Sequence, residues 1–176
     1  GGDRDLRSRL HFTRTCPNIS TTESCVPEPE ELPPVITMTN QEAAAAIRKH
    51  HDELQSALTG AVDALRAAVR NTQSWKPARD DVLHFLDAEL LPHAAAEERA
   101  LYPAGAMIDE HRSIVARAEA LRRADDAIEA VSVASAILAL FEVHLSKENN
   151  RLIPTLVADP SISLERLLAG MHELLG

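Results

Sequence analysis

Two copies of one pattern constrain this chain more than any other feature. His93-Ala-Ala-Ala-Glu97 is followed by five residues and Pro103, and His144-Leu-Ser-Lys-Glu148 by five residues and Pro154. On an α-helix, residues i and i+4 stand one above the other, so each copy aims an imidazole and a carboxylate at one point. A carboxylate in a bundle core is costly unless it is paired or holds a metal. Two such helices facing each other would bring two His and two Glu to a shared centre, and the other helices have to complete it.

The rest of the chain supplies those helices. Hydrophobic residues make up 45% of the sequence but aromatics only 3%, so the core must be built from Leu, Ile, Val and Ala. Ala is abundant, Gly is scarce, and no run of alternating β-branched residues occurs, which predicts an all-α domain. A first helix should start near Thr39, where Thr39-x-x-Glu42 fits a capping box. Its apolar stripe runs through Ile47, His51, Leu54, Leu58, Ala61 or Val62, and Leu65 at spacings of three and four. Asn71 to Lys76 is a connection. The second helix starts at Pro77 and carries Val82, Leu86, Glu89 or Leu90, His93, Glu97 and Leu101 on its stripe, with Pro92 expected to kink or loosen the turn before His93. His84 falls on its opposite face. A third helix, from about Ala106 to Arg123, carries His111, Ile114 or Val115, Ala118 and Leu121. After a turn at Asp125-Asp126, the fourth runs from about Ala127 to Val157 with Ala134, Ile137, Phe141, His144, Glu148 and Leu152, its end distorted at Pro154. A short amphipathic helix follows, with Leu164, Leu167, Leu168, Met171 and Leu175 on one side. The predicted fold is an up-down-up-down four-helix bundle with a short C-terminal helix, over residues 38–176.

Residues 1–37 differ. They hold both cysteines, Cys16 and Cys25, and five prolines, and they lack helical periodicity. The expectation is a disordered tail or a leader outside the domain, with Met38 as a natural start. The net charge of −9, without a basic patch, argues against nucleic acid and anionic membrane as partners. No run of about 18 consecutive apolar residues and no signal peptide is evident. The expected location is the cytoplasm.

Four helices thus each place a histidine on the inward stripe: His51, His93, His111 and His144. Two add a carboxylate one turn later, Glu97 and Glu148, with no Lys or Arg on the same stripes. A single histidine in an apolar stripe is commonly a hydrogen-bonded core residue, but the same coincidence on four helices points to a metal. The chain also repeats coarsely: His51-x-x-Leu54 resembles His111-x-x-Ile114, and each is followed by a His-x-x-x-Glu helix. Six N/O ligands without thiolate suit iron or manganese, and they exceed the four of a tetrahedral zinc. Two octahedral ions bridged by both carboxylates and an oxide or hydroxide would fill about ten of twelve positions.

As a set, His-x-x-Leu, Pro-His-x-x-x-Glu-Glu-x-x-Leu-Tyr-Pro, Glu-His-x-x-Ile and His-x-x-x-Glu-x-x-x-Leu-Ile-Pro resemble the hemerythrin-like, or HHE cation-binding, domain over about Gln41 to Leu156. The resemblance implies a four-helix bundle with two non-haem iron ions. His51, His93, His111 and His144 would be terminal ligands, and Glu97 and Glu148 bridges. Oxygen-carrying members have a further histidine four residues after the third-helix one, where this chain has Val115. Tyr102, Glu98 or His50 could take its place. The expected function is binding or sensing of dioxygen, nitric oxide or peroxide. The alternatives are a di-iron enzyme with peroxidase, catalase-like or nitric-oxide-handling activity, and an iron-responsive interaction module.

Overall fold

The computed structural model describes residues 38–100 and 107–175. The expectations for residues 1–37, with Cys16 and Cys25, and for Tyr102 and Pro103 fall outside them. The described residues hold helices and no strand. Helix α1 (Asn40–Arg70) opens with the expected capping box: the Thr39 hydroxyl accepts from Glu42 N–H at 3.2 Å and Glu42 accepts from Thr39 N–H at 2.8 Å. This satisfies backbone donors that a helix start otherwise leaves free. Its buried residues, Ile47, His51, Leu54, Leu58, Val62 and Leu65, follow the sequence stripe.

Helix α2 (Lys76–Phe85) has Pro77 in its first turn and continues through a π-turn (Leu86–Leu90) into α3 (Leu91–Ala100). Helix α4 (Ile108–Arg123) follows Met107, whose φ of 67° lies in the left-handed region and sets the start of the helix. Helix α5 (Ala127–Lys147), capped by Asp126 accepting from the backbone N–H groups of Ile128 and Glu129, runs through a second π-turn (Glu148–Leu152) into α6 (Ile153–Ala158). Helix α7 (Leu164–Leu175) closes the chain.

The two π-turns answer the two prolines. Proline has no N–H to give to the carbonyl four residues back, and its ring clashes there. Just before Pro92, Leu91 N–H reaches Leu86 O; just before Pro154, Ile153 N–H reaches Glu148 O. Each bond spans five residues instead of four, which widens the turn and admits the proline without breaking the rod. The expected kink is therefore a change of helical pitch, made at equivalent places in both halves.

Helix α1 packs on α2 and α5, α4 on α5, and α3 on α4 and α7. The main apolar cluster includes Leu58, Val62, Leu65, Val82, Leu86, Leu121, Ile137 and Phe141. Each such side chain, fully buried, contributes about 1.5–3 kcal/mol. A smaller cluster joins Ala43, Ala44, Ile47, Ile153 and Leu164. Asn40 ties the starts of α1 and α7 together, accepting from Leu164 N–H at 2.9 Å and donating to Ile162 O at 2.8 Å. Along α1, His51 falls between Ile47 of the small cluster and Leu54 of the main one, and His144 and Glu148 fall likewise between Phe141 of the main cluster and Ile153 of the small one.

The rod Ala127–Ala158 is long and apolar enough to cross a membrane by length and composition. This differs from the expectation of no such segment, which counted unbroken apolar runs. The apolarity has a use within the fold: α5 lies against both α1 and α4 and buries Ala130, Ala134, Ile137, Leu138, Phe141 and Leu145.

Candidate metal centre

All six residues singled out in the sequence converge. His51, His93, Glu97, His111, His144 and Glu148 are each 4% exposed or less, and they are the buried polar side chains among the described residues. Glu97 is their hub. Its Oε1 lies 2.7 Å from His93 Nε2 and 3.3 Å from His51 Nε2. Its Oε2 lies 3.6 Å from His111 Nε2 and 3.7 Å from His144 Nε2. One oxygen therefore faces the histidines of the first half and the other those of the second. Glu148 crosses the same divide: its Oε2 is 3.4 Å from His51 Nε2 and 3.5 Å from His144 Nε2.

The donor atoms form two groups that could hold a cation, His51–His93–Glu97 and Glu97–His111–His144. Within each group the ligand atoms lie within 4.8 Å of one another. Nitrogen and oxygen ligands about 2.1 Å from an ion, at roughly 90° to 110°, stand about 3–3.4 Å apart. The separations above cluster around that value. His111 Nε2 and His144 Nε2, 3.2 Å apart, also direct two ring nitrogens at one region. The donor set suits metal cation binding, and Glu97 belongs to both groups.

The far side of two imidazoles is fixed by hydrogen bonds. His51 Nδ1–H donates to Asn149 Oδ1 at 2.9 Å, and His111 Nδ1–H donates to Glu98 Oε1 at 3.0 Å. Each bond assigns the proton to Nδ1 and leaves Nε2 facing the centre, where it could ligate a metal. Nδ1 of His93 and of His144 is buried without such a partner. Sequence reasoning weighed Glu98 only as a direct ligand, whereas here it stands behind His111. Asn149 was missed. Its signal was its position: it follows Glu148 as Glu98 follows Glu97.

Charges at the centre depend on one another. Burial opposes ionisation of Glu97, yet the four surrounding imidazoles hold its carboxyl well below the usual range. Burial likewise works against imidazolium at His51 and His111. Glu97, with Glu148 and Asn149 for His51 and with Glu98 for His111, outweighs it and raises both. Without a cation, the carboxylates thus draw protons onto the ligand nitrogens, which a metal would displace.

The other candidates fall elsewhere. His50 packs edge-on against His93, ring centres 4.9 Å apart, and burial followed by the neighbouring His93 and His51 lowers its pKa. His84 is exposed, as its helix face requires. Val115 is 45% exposed, whereas Ile114 lines a cavity of about 10 Å³ beside the centre. Leu90, Leu91, Ala94 and Phe141, with Glu97, His93, His111 and His144, complete that cavity's wall. A larger pocket of about 640 Å³, lined by residues including Ile47, His50, His93 and Leu168, reaches His93 from outside the core.

The family model of the hemerythrin HHE cation binding domain matches residues 42–159. No curated protein and no solved structure matches the chain.

Proposed function

We infer the function from the premise that this chain belongs to the hemerythrin HHE cation-binding family: it holds two non-haem iron ions and uses them to bind or sense dioxygen, nitric oxide or peroxide. The observation that carries this reading is the shared carboxylate. Glu97 gives one oxygen to His51 and His93 and the other to His111 and His144. A single ion would leave half of those imidazoles unused. Nitrogen and oxygen donors without thiolate suit iron.

Such an iron pair supplies reversible coordination of a small ligand and exchange of one or two electrons with it. The protein's share follows from its own residues. Asn149 and Glu98 keep the Nδ1 protons of His51 and His111 in place, so that Nε2 faces inward. Leu90, Leu91, Ile114 and Phe141 exclude bulk water from one side of the centre. The space they leave, about 10 Å³, is that of roughly one water-sized molecule. It selects a diatomic or a peroxide and turns away larger ligands. The up-down-up-down order of the four rods belongs to the same reading, since the short connections after α1 and α4 favour antiparallel neighbours.

An enzyme that consumes peroxide is the second reading, favoured by the 640 Å³ pocket, which gives His93 a separate approach for a reductant. Metal content and the visible spectrum of the protein in air test the first reading. About two irons per chain with oxo-bridged charge-transfer bands are expected; one zinc per chain, or no uptake after anaerobic iron loading, overturns it. Peroxide loss no faster than with free iron removes the second.

A further inference from the structure

The two halves of the centre carry the same π-turn but differ in the partners of their outer hydrogen bonds. The residue after each bridging glutamate reaches across to the first histidine of the other half. Asn149, after Glu148, accepts from His51 Nδ1–H at 2.9 Å; Glu98, after Glu97, accepts from His111 Nδ1–H at 3.0 Å. The distances are alike and the acceptors are not: one is a neutral amide, the other a carboxylate. The remaining two histidines, His93 and His144, both lack an Nδ1 partner. Among the described residues, the outer ring thus differs between the halves at Glu98 and Asn149.

We propose that Glu98 is a positioning residue that makes the two metal positions unequal, so that the position at His111 and His144 binds its ion more tightly than the one at His51 and His93. This rests on the two-ion reading above. A carboxylate accepting from Nδ1–H leaves more electron density at Nε2 than an amide does, and it adds a negative charge behind the ligand. Glu98 is only partly buried, its side chain about 36% exposed, so water moderates the charge without removing the directed hydrogen bond. Asn149 fixes the ring of His51 equally well but adds no charge.

The test is an anaerobic titration of the iron-free full chain with ferrous iron, followed by calorimetry and by Mössbauer spectroscopy. The parent protein should take up two ions with affinities about 10–100-fold apart, the range in which outer partners of metal-bound histidine act. It should also give two distinct quadrupole doublets. Glu98→Gln should weaken the first ion by about the same factor and bring the two affinities together. Asn149→Asp should close the gap from the other side, by strengthening the second ion. The double exchange, Glu98→Gln with Asn149→Asp, keeps the total charge and should restore the gap and both doublets. A merely structural role would leave the exchange as impaired as Glu98→Gln alone, and that result overturns the proposal. So do equal affinities in the parent protein, or a gap that survives Glu98→Gln. Uptake of fewer than two ions by the parent overturns the two-ion reading itself.

Discussion

Loading the centre should reverse the sign of the protein's pH dependence. Stability changes with pH by about 1.36 kcal/mol per unit for each proton by which the unfolded and folded chains differ. In the iron-free protein, the carboxylates raise the pKa of His51 and His111 despite their burial. A raised histidine contributes stability that is full below the unfolded value of about 6.5 and is lost as pH rises through the folded value. At pH 7 an unfolded histidine carries about a quarter of a proton. With both imidazoles protonated in the folded chain, the difference reaches about 1.5 protons, so stability should fall by up to ~2 kcal/mol per pH unit. His50, lowered by burial, acts in the opposite sense but mainly below pH 6.5. Glu97, lowered, loses its contribution only below about pH 4.5, where unfolded carboxylates begin to protonate. Once iron is bound, all four ligand histidines must be neutral. At pH 6 the unfolded chain would take up about three protons at these positions, and stability should rise by roughly 4 kcal/mol per pH unit. Urea denaturation with and without iron, over pH 5.5–8, reads both slopes. A flat or falling profile for the loaded protein between pH 5.5 and 6.5, or a rising one for the iron-free protein above pH 7, refutes the argument.

Four substitutions check other parts of the structure. Glu97→Gln keeps the shape of the hub but removes its charge from both groups, so iron analysis should find both ions lost; His84→Ala, on an exposed face, should leave the iron content unchanged. Ile114→Ala widens the 10 Å³ cavity and should tighten azide binding in a spectroscopic titration, at a stability cost of about 2–5 kcal/mol in urea. Asp126→Ala removes the cap on α5 and should cost about 1 kcal/mol, a fall in Tm of about 2–4 °C, with metal content unaffected.

The stripe positions were readable because burial in a bundle imposes a spacing of three and four, and a histidine or glutamate that keeps that spacing has to be inside. His51, His93, Glu97, His111, His144 and Glu148 all obeyed it. Three features did not show. The π-turns depend on how a helix absorbs a proline, and the sequence gives the proline but not whether the rod breaks or widens. Asn149 lies off the stripe and acts through a hydrogen bond 98 residues away in sequence, beyond any periodicity. The sequence also treats Glu97 and Glu148 as equivalents. Only packing shows that Glu97 divides its two oxygens between the halves, while one oxygen of Glu148 reaches a histidine of each.

His111 both lines the cavity and carries Glu98, and this ties ligand access to the proposed inequality. Three of the four histidines line the cavity; His51 does not. His111 and His144 both do, so a ligand lodged there faces their position with both imidazoles, and the other position with His93 alone. The same His111 carries Glu98 on its far nitrogen. A small anion arriving through the cavity should therefore bind the ion that Glu98 supports. The consequence is energetic coupling between Ile114 and Glu98, which act on one position from opposite sides of one ring. In a double-mutant cycle on azide affinity, Ile114→Ala and Glu98→Gln should deviate from additivity by at least about 0.5 kcal/mol, the level above which neighbouring sites are distinguished from independent ones. Strict additivity would mean that the ligand binds at the His51 and His93 position, reached by the larger pocket behind His93 rather than by the cavity at Ile114.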